Sequence, residues 1–149
     1  MILETKNKTI NLVLRTRKIL DIANSLKSKN FEKAFFKAVN EKDLDALSKV
    51  IYSLAEDDNK KHVFKNSEEV LDFIDDYKKE NNKSYNDIYK EIAEMINEEG
   101  FFNYKMTEEE LESMISNPLS QINLDELMKK AVEKAMVVVA ETEITATEK

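Results

Sequence analysis

The sequence has no cysteine, no tryptophan, one glycine, one proline and one histidine among its 149 residues. Without cysteine there are no disulfides and no thiolate metal ligands. Phosphate-cradling loops, dinucleotide fingerprints and nucleophile elbows commonly use several glycines to bring backbone close to a ligand, and a single glycine supports none of them. The same scarcity of glycine and proline removes the turn residues that an all-β architecture needs, and so favours helices. His62 stands without a second histidine or an HExxH pattern, so it reads as a solvated loop residue, not a zinc ligand or a catalytic base. The longest apolar run, 135–140, is too short to cross a bilayer. The expectation is a protein that is not an enzyme, with no catalytic residue, no metal site and no cofactor.

What the sequence does have is charge. Charged residues make up 36% of the chain and hydrophobic ones 42%, with a formal net charge of −7. An acidic balance opposes non-specific binding of nucleic acid and of anionic membranes, so neither is expected as a partner. No basic cluster breaks the acidity along the chain, and Lys60-Lys61-His62 is too short for a phosphate-tracking groove. Met1-Ile2-Leu3 meets Glu4 at once with no apolar segment after it, so a cytoplasmic address is expected. Asp57-Asp58, Asp75-Asp76 and Glu108-Glu109-Glu110 lack the alternating oxygen ligands and central glycine of a calcium loop. They read as solvated faces and helix starts.

The stretch 9–54 organises the pattern. Ile10, Leu12 and Leu14 alternate with Asn11, Val13 and Arg15, as in a half-buried strand. With Met1-Ile2-Leu3 before it and Lys6-Asn7-Lys8 as the turn, it predicts a hairpin. Three apolar stripes at helical spacing follow: Ile19, Ile22, Ala23, Leu26; then Phe31, Ala34, Phe35, Ala38 after an Asn30 cap; then Leu44, Leu47, Ile51, Leu54 after Asp43.

Beyond it, 56–65 reads as a polar loop pinned by Val63 and Phe64. Asn66 with Glu68 and Glu69 opens a helix carrying Val70, Phe73, Ile74 and Tyr77. Ser84 with Asp87 opens the next, with Tyr85, Ile88, Tyr89, Ile92 and Ile96 on one side and Gly100 past its end. Thr107 with Glu110 starts a shorter helix with Leu111, Met114 and Ile115, closed by Pro118; Asn123 with Glu126 opens the last. The fold class expected is mainly α: one helical domain over 1–140 with about seven helices and a short N-terminal β-hairpin, then a flexible tail over 141–149. A division near 56–65 is the alternative. The core expected is Ile22, Phe35, Leu47, Ile51, Ile74, Ile88 and Ile92.

Phe101, Phe102 and Tyr104 follow Gly100 directly, and neighbouring rings cannot all face one way. They either cap the core or form an exposed hook for a partner or a second copy of the chain. The hook reading predicts that Phe101, Phe102 and Tyr104 bind a partner.

The order of elements resembles the tail assembly chaperones of long-tailed phages and prophages of Gram-positive bacteria. The resemblance runs from the hairpin and Leu12-Val13-Leu14-Arg15-Thr16 through Ala38, Asp43-Leu44, Leu47 and Ile51. It continues over 66–75 and ends at Glu98-Glu99-Gly100-Phe101-Phe102. It rests on apolar spacing, with no catalytic motif to carry over. It implies a mainly helical protein without cofactor in the host cytoplasm, one that coats the tape-measure protein and recruits tail-tube subunits. The alternative is another small helical interaction module, such as a head–tail adaptor or a regulator. Helix-lined grooves suit either. Met95, Met106, Met114, Met128 and Met136 serve equally as adaptable binding surface or as core filling.

Overall fold

The computed structural model describes residues 1–116. Within them the order is β1 (Ile2–Glu4), β2 (Thr9–Leu12), α1 (Thr16–Ser25), α2 (Phe31–Glu41), α3 (Leu44–Leu54), β3 (Ala55–Glu56), α4 (Ser67–Asn81), α5 (Tyr85–Glu98) and α6 (Glu108–Ser116). The described residues are therefore mainly helical with a small N-terminal sheet. Six helices lie among the described residues. The helix expected from Asn123, the Pro118 stop and the tail over 141–149 lie outside them, as do Met128 and Met136.

Local chemistry sets the helix starts. Asn30, Asp43 and Asn66 each accept a backbone N–H three residues on, at the N-termini of α2, α3 and α4. Ser84 and Asp87 form a reciprocal capping box on α5, and Thr107 and Glu110 do the same for α6. α5 ends at Gly100, whose φ of +76° lies in the left-handed region. Gly100 N–H donates to Asn97 and Phe101 N–H to Ile96, the pair of bonds that closes a helix on a left-handed residue.

β1 and β2 form the expected antiparallel hairpin, with Leu3 opposite Ile10. The sheet has a third strand where the sequence pattern predicts loop. Ala55-Glu56 leaves α3 and pairs antiparallel with β2, Leu12 to Ala55 and Asn11 to Glu56. A strand of two residues is too short to show an alternation. It forms because the adjacent β2 offers a ladder edge and because Glu56 finds cationic partners there.

One cluster of buried apolar residues extends from Leu3 to Ile115. All seven expected core residues are in it, with the buried stripes of α4, α5 and α6. α2 buries more than its expected stripe, since Phe36 and Val39 are also in the core, while Leu44 at the start of α3 is exposed. Met106 and Met114 are buried and Met95 packs against the cluster, so these three serve as core filling. No helix among the described residues is long and apolar enough to cross a membrane.

Candidate functional site

The loop after Gly100 is held by a buried amide. The Asn97 side chain donates to the Met106 carbonyl and accepts from its N–H, both at 2.9 Å, so the loop is clamped at its far end. Between the helix stop and this clamp the three rings part. Phe102 turns inward and is 6% exposed. Its ring centroid lies 5.1 Å from Phe36, 6.0 Å from Phe35 and 6.2 Å from Phe31, distances typical of aromatic packing. Of the two readings, core cap and exposed hook, Phe102 takes the first: it closes the core between α2 and the loop. Phe101 and Tyr104 are half-buried and pack on the edge of the same cluster.

Phe101 also lines a groove of about 380 Å³ between α1, the start of α2 and this loop. Phe31 and Ala23 form its buried base; Ile19 and Leu20 of α1 flank it. Leu20 is 60% exposed, a large apolar side chain left in water beside a half-buried ring. Neither α1 residue stood out in the sequence, because Ile19 falls in a stripe read as core and Leu20 falls off it.

Glu32, in the first turn of α2, lines the groove as well, yet its side chain is buried. Asn103 donates to Oε2 at 3.2 Å, while Oε1 has no hydrogen-bond partner among the described residues. Burial pushes the Glu32 carboxyl above its ordinary range, and hydrogen bonds from Asn103 draw it back only in part. The N-terminal end of α2 eases the charge further. A raised folded-state pKa means that stability from this group is complete below the unfolded-state value and is lost as pH rises through the folded one. Glu32→Gln is accordingly expected to raise the unfolding free energy at pH 7 by about 1–2 kcal/mol, since the neutral amide removes the poorly compensated buried charge and can still accept from Asn103. The difference from wild type should close as both proteins are taken below the ordinary glutamate pKa of 4.5. Urea titrations at the two pH values read it; a Gln variant less stable at pH 7 would mean that the carboxylate is well solvated.

A second concave surface, of about 740 Å³, lies where the start of α1 meets β3 and the turn that follows it. Glu56 anchors it. Arg15 grips its carboxylate with two bonds, Nε to Oε2 at 2.8 Å and Nη2 to Oε1 at 3.2 Å, and Lys18 contacts Oε2 from the other side. These partners hold the Glu56 carboxyl at about 2, against the opposing effect of burial. Past Glu56 the chain turns back. Asp57 Oδ1 accepts the N–H groups of Asn59 and Lys61, Lys60 takes a left-handed φ of +63°, and His62 bridges to Glu56. Lys60, Lys61 and His62 are thereby set beside Arg15, Arg17 and Lys18. No basic cluster stands along the chain, but the fold assembles one in space from these two segments. His62 is exposed, as expected, and stacks on Tyr52 with ring centroids 4.5 Å apart.

Asp57-Asp58, Asp75-Asp76 and Glu108-Glu109 are exposed. No group of three or more histidine, aspartate or glutamate side chains among the described residues is arranged to hold a metal ion. No protein-family model, curated protein or solved structure matches the chain.

Proposed function

We propose that the chain is a tail assembly chaperone, a non-enzymatic protein whose α1–α2 groove holds an amphipathic helix of a tape-measure protein in the cytoplasm of a bacterial host. The observation that supports this best is the groove itself. It offers an exposed leucine and a half-buried phenylalanine over an apolar base, with a buried carboxylate oxygen at one side. A helix docks in such a groove through apolar side chains three and four residues apart. The two aliphatic side chains of α1 and the Phe101 ring present the matching surface, and aromatic anchors of this kind dominate interface energies. Tail-tube subunits are the further partners that the resemblance to these chaperones implies, and a second copy of the chain is the partner that the exposed-ring reading of Phe101 and Tyr104 adds.

The test is co-expression with the tape-measure protein of the same gene cluster, followed by affinity capture. Leu20→Asp and Phe101→Ala should each weaken capture at least tenfold, about 1.4 kcal/mol of binding free energy. Leu20→Asp should leave the thermal midpoint within a few degrees of wild type, because Leu20 faces solvent. Undiminished capture by both variants would remove the groove as the binding surface. Failure of the wild type to capture any tape-measure protein would favour the adaptor or regulator reading.

A further inference from the structure

The basic cleft is independent of the groove. Its lining holds five cationic side chains, Arg15, Arg17, Lys18, Lys60 and Lys61, against the two carboxylates of Asp21 and Glu56. This concentration stands in a chain with 30 acidic and 23 basic residues. Only part of the positive charge is used internally. Arg15 and Lys18 neutralise Glu56, and Lys18 also donates to the carbonyls of Val13 and Leu54, so its three ammonium protons are all engaged. Arg17, Lys60 and Lys61 are exposed, and their side chains make no ion pair or hydrogen bond among the described residues. The fold holds them in place: the Glu56–His62 bridge and the Asp57 turn fix the two lysines, and the first turn of α1 fixes Arg17.

We propose that this cleft binds a short acidic peptide segment of a partner protein, with its carboxylates reaching Arg17, Lys60 and Lys61. Three features favour that occupant. The free cations sit on two elements around an open cleft, Arg17 on α1 and Lys60 with Lys61 on the turn after β3, which suits several charges spread along a chain. Lys18, the least exposed of the cleft's cations, is already saturated, so no buried donor set converges on a single small anion. A long polyanion such as nucleic acid would have to run from this cleft onto a surface whose overall charge is −7, where it is repelled. A short segment meets only the local positive field, which steers it and fixes its register.

Fluorescein-labelled hexaglutamate is the probe, read by fluorescence anisotropy against the full chain at low salt. The wild type should bind it, with affinity that falls as salt is raised. The triple variant Arg17→Gln, Lys60→Gln, Lys61→Gln should bind at least tenfold more weakly while keeping its thermal midpoint, since all three side chains are exposed. Leu20→Asp should bind the probe as the wild type does. Absence of binding to the wild type, or equal binding by the triple variant, would overturn the proposal. So would tighter binding of a labelled thymidine hexanucleotide than of hexaglutamate, which would make the cleft a nucleic-acid site.

Discussion

Phe102→Ala is expected to lower the unfolding free energy by about 3–5 kcal/mol, the usual cost of removing a buried phenylalanine ring. The ring touches three phenylalanines of one helix, so its loss opens a cavity against α2. The neighbourhood has little freedom to collapse into that space. Gly100 fixes the backbone on one side of the ring, and the Asn97–Met106 clamp fixes it on the other. Cavities that cannot relax carry the larger penalties. Urea unfolding should show a lower midpoint with an unchanged slope. Phe101→Ala, one residue away, should cost far less, because that ring is only half-buried. Similar losses for both would mean that the loop contributes to the core as a unit; a loss below about 1 kcal/mol at Phe102 would place its ring outside the core.

The second large effect is at Glu56. Glu56→Gln removes the charge and one of the two oxygens that accept from Arg15, and leaves Lys18, which is mostly buried, with no counter-charge. Uncompensated charges of this kind are costly, although Arg15 lies half in water and its share is screened. Its hydrogen bond to Arg15 is the main reason that the Glu56 carboxyl titrates near 2 instead of its ordinary 4.5. A depressed folded-state pKa gives stability that is present above the unfolded-state value and is lost as pH falls through the folded one. The variant should therefore be about 2–3 kcal/mol less stable than wild type at pH 7. The gap should narrow between pH 4.5 and 2 as the wild-type carboxylate takes up its proton. Chemical unfolding across that range measures it. A gap independent of pH would show that Glu56 acts through packing and not through charge.

Glu32 and Glu56 thus act in opposite directions on acidification. Both are buried glutamates in one acidic chain, and the difference lies in what faces them. A pair of cations surrounds Glu56, while Glu32 has one amide and an apolar groove. Neither is distinguishable in the sequence from the carboxylates that lie on exposed helix faces.

What the sequence does disclose is local. Asn30, Asp43, Asn66, Ser84 and Thr107 are readable as helix starts because a cap and its target lie three residues apart. The stripes of α4 and α5 are readable because each helix buries one face against a single cluster. α2 is less so: Phe36 and Val39 are buried on a second face because α1, α3 and α6 all pack against this helix. The strand β3 and the basic cleft are decided by pairings between residues far apart in the chain, Asn11 with Glu56 and Arg15 with Glu56, which no short window contains. The Phe101–Phe102 question had the same character. Gly100 makes the turn legible, but which ring enters the core depends on a clamp formed between α5 and the start of the α6 segment.

The proposed role of the groove is tested most directly by a photo-crosslinker placed in it. Leu20 can be replaced by benzoylphenylalanine in cells that also express the tape-measure protein. Leu71 on α4, 41% exposed and absent from the groove lining, serves as the comparison position. Irradiation should yield a covalent adduct with the tape-measure protein from position 20 and none from position 71. An adduct from position 71 alone, or none from position 20 while the two proteins still co-purify, would contradict the proposed role.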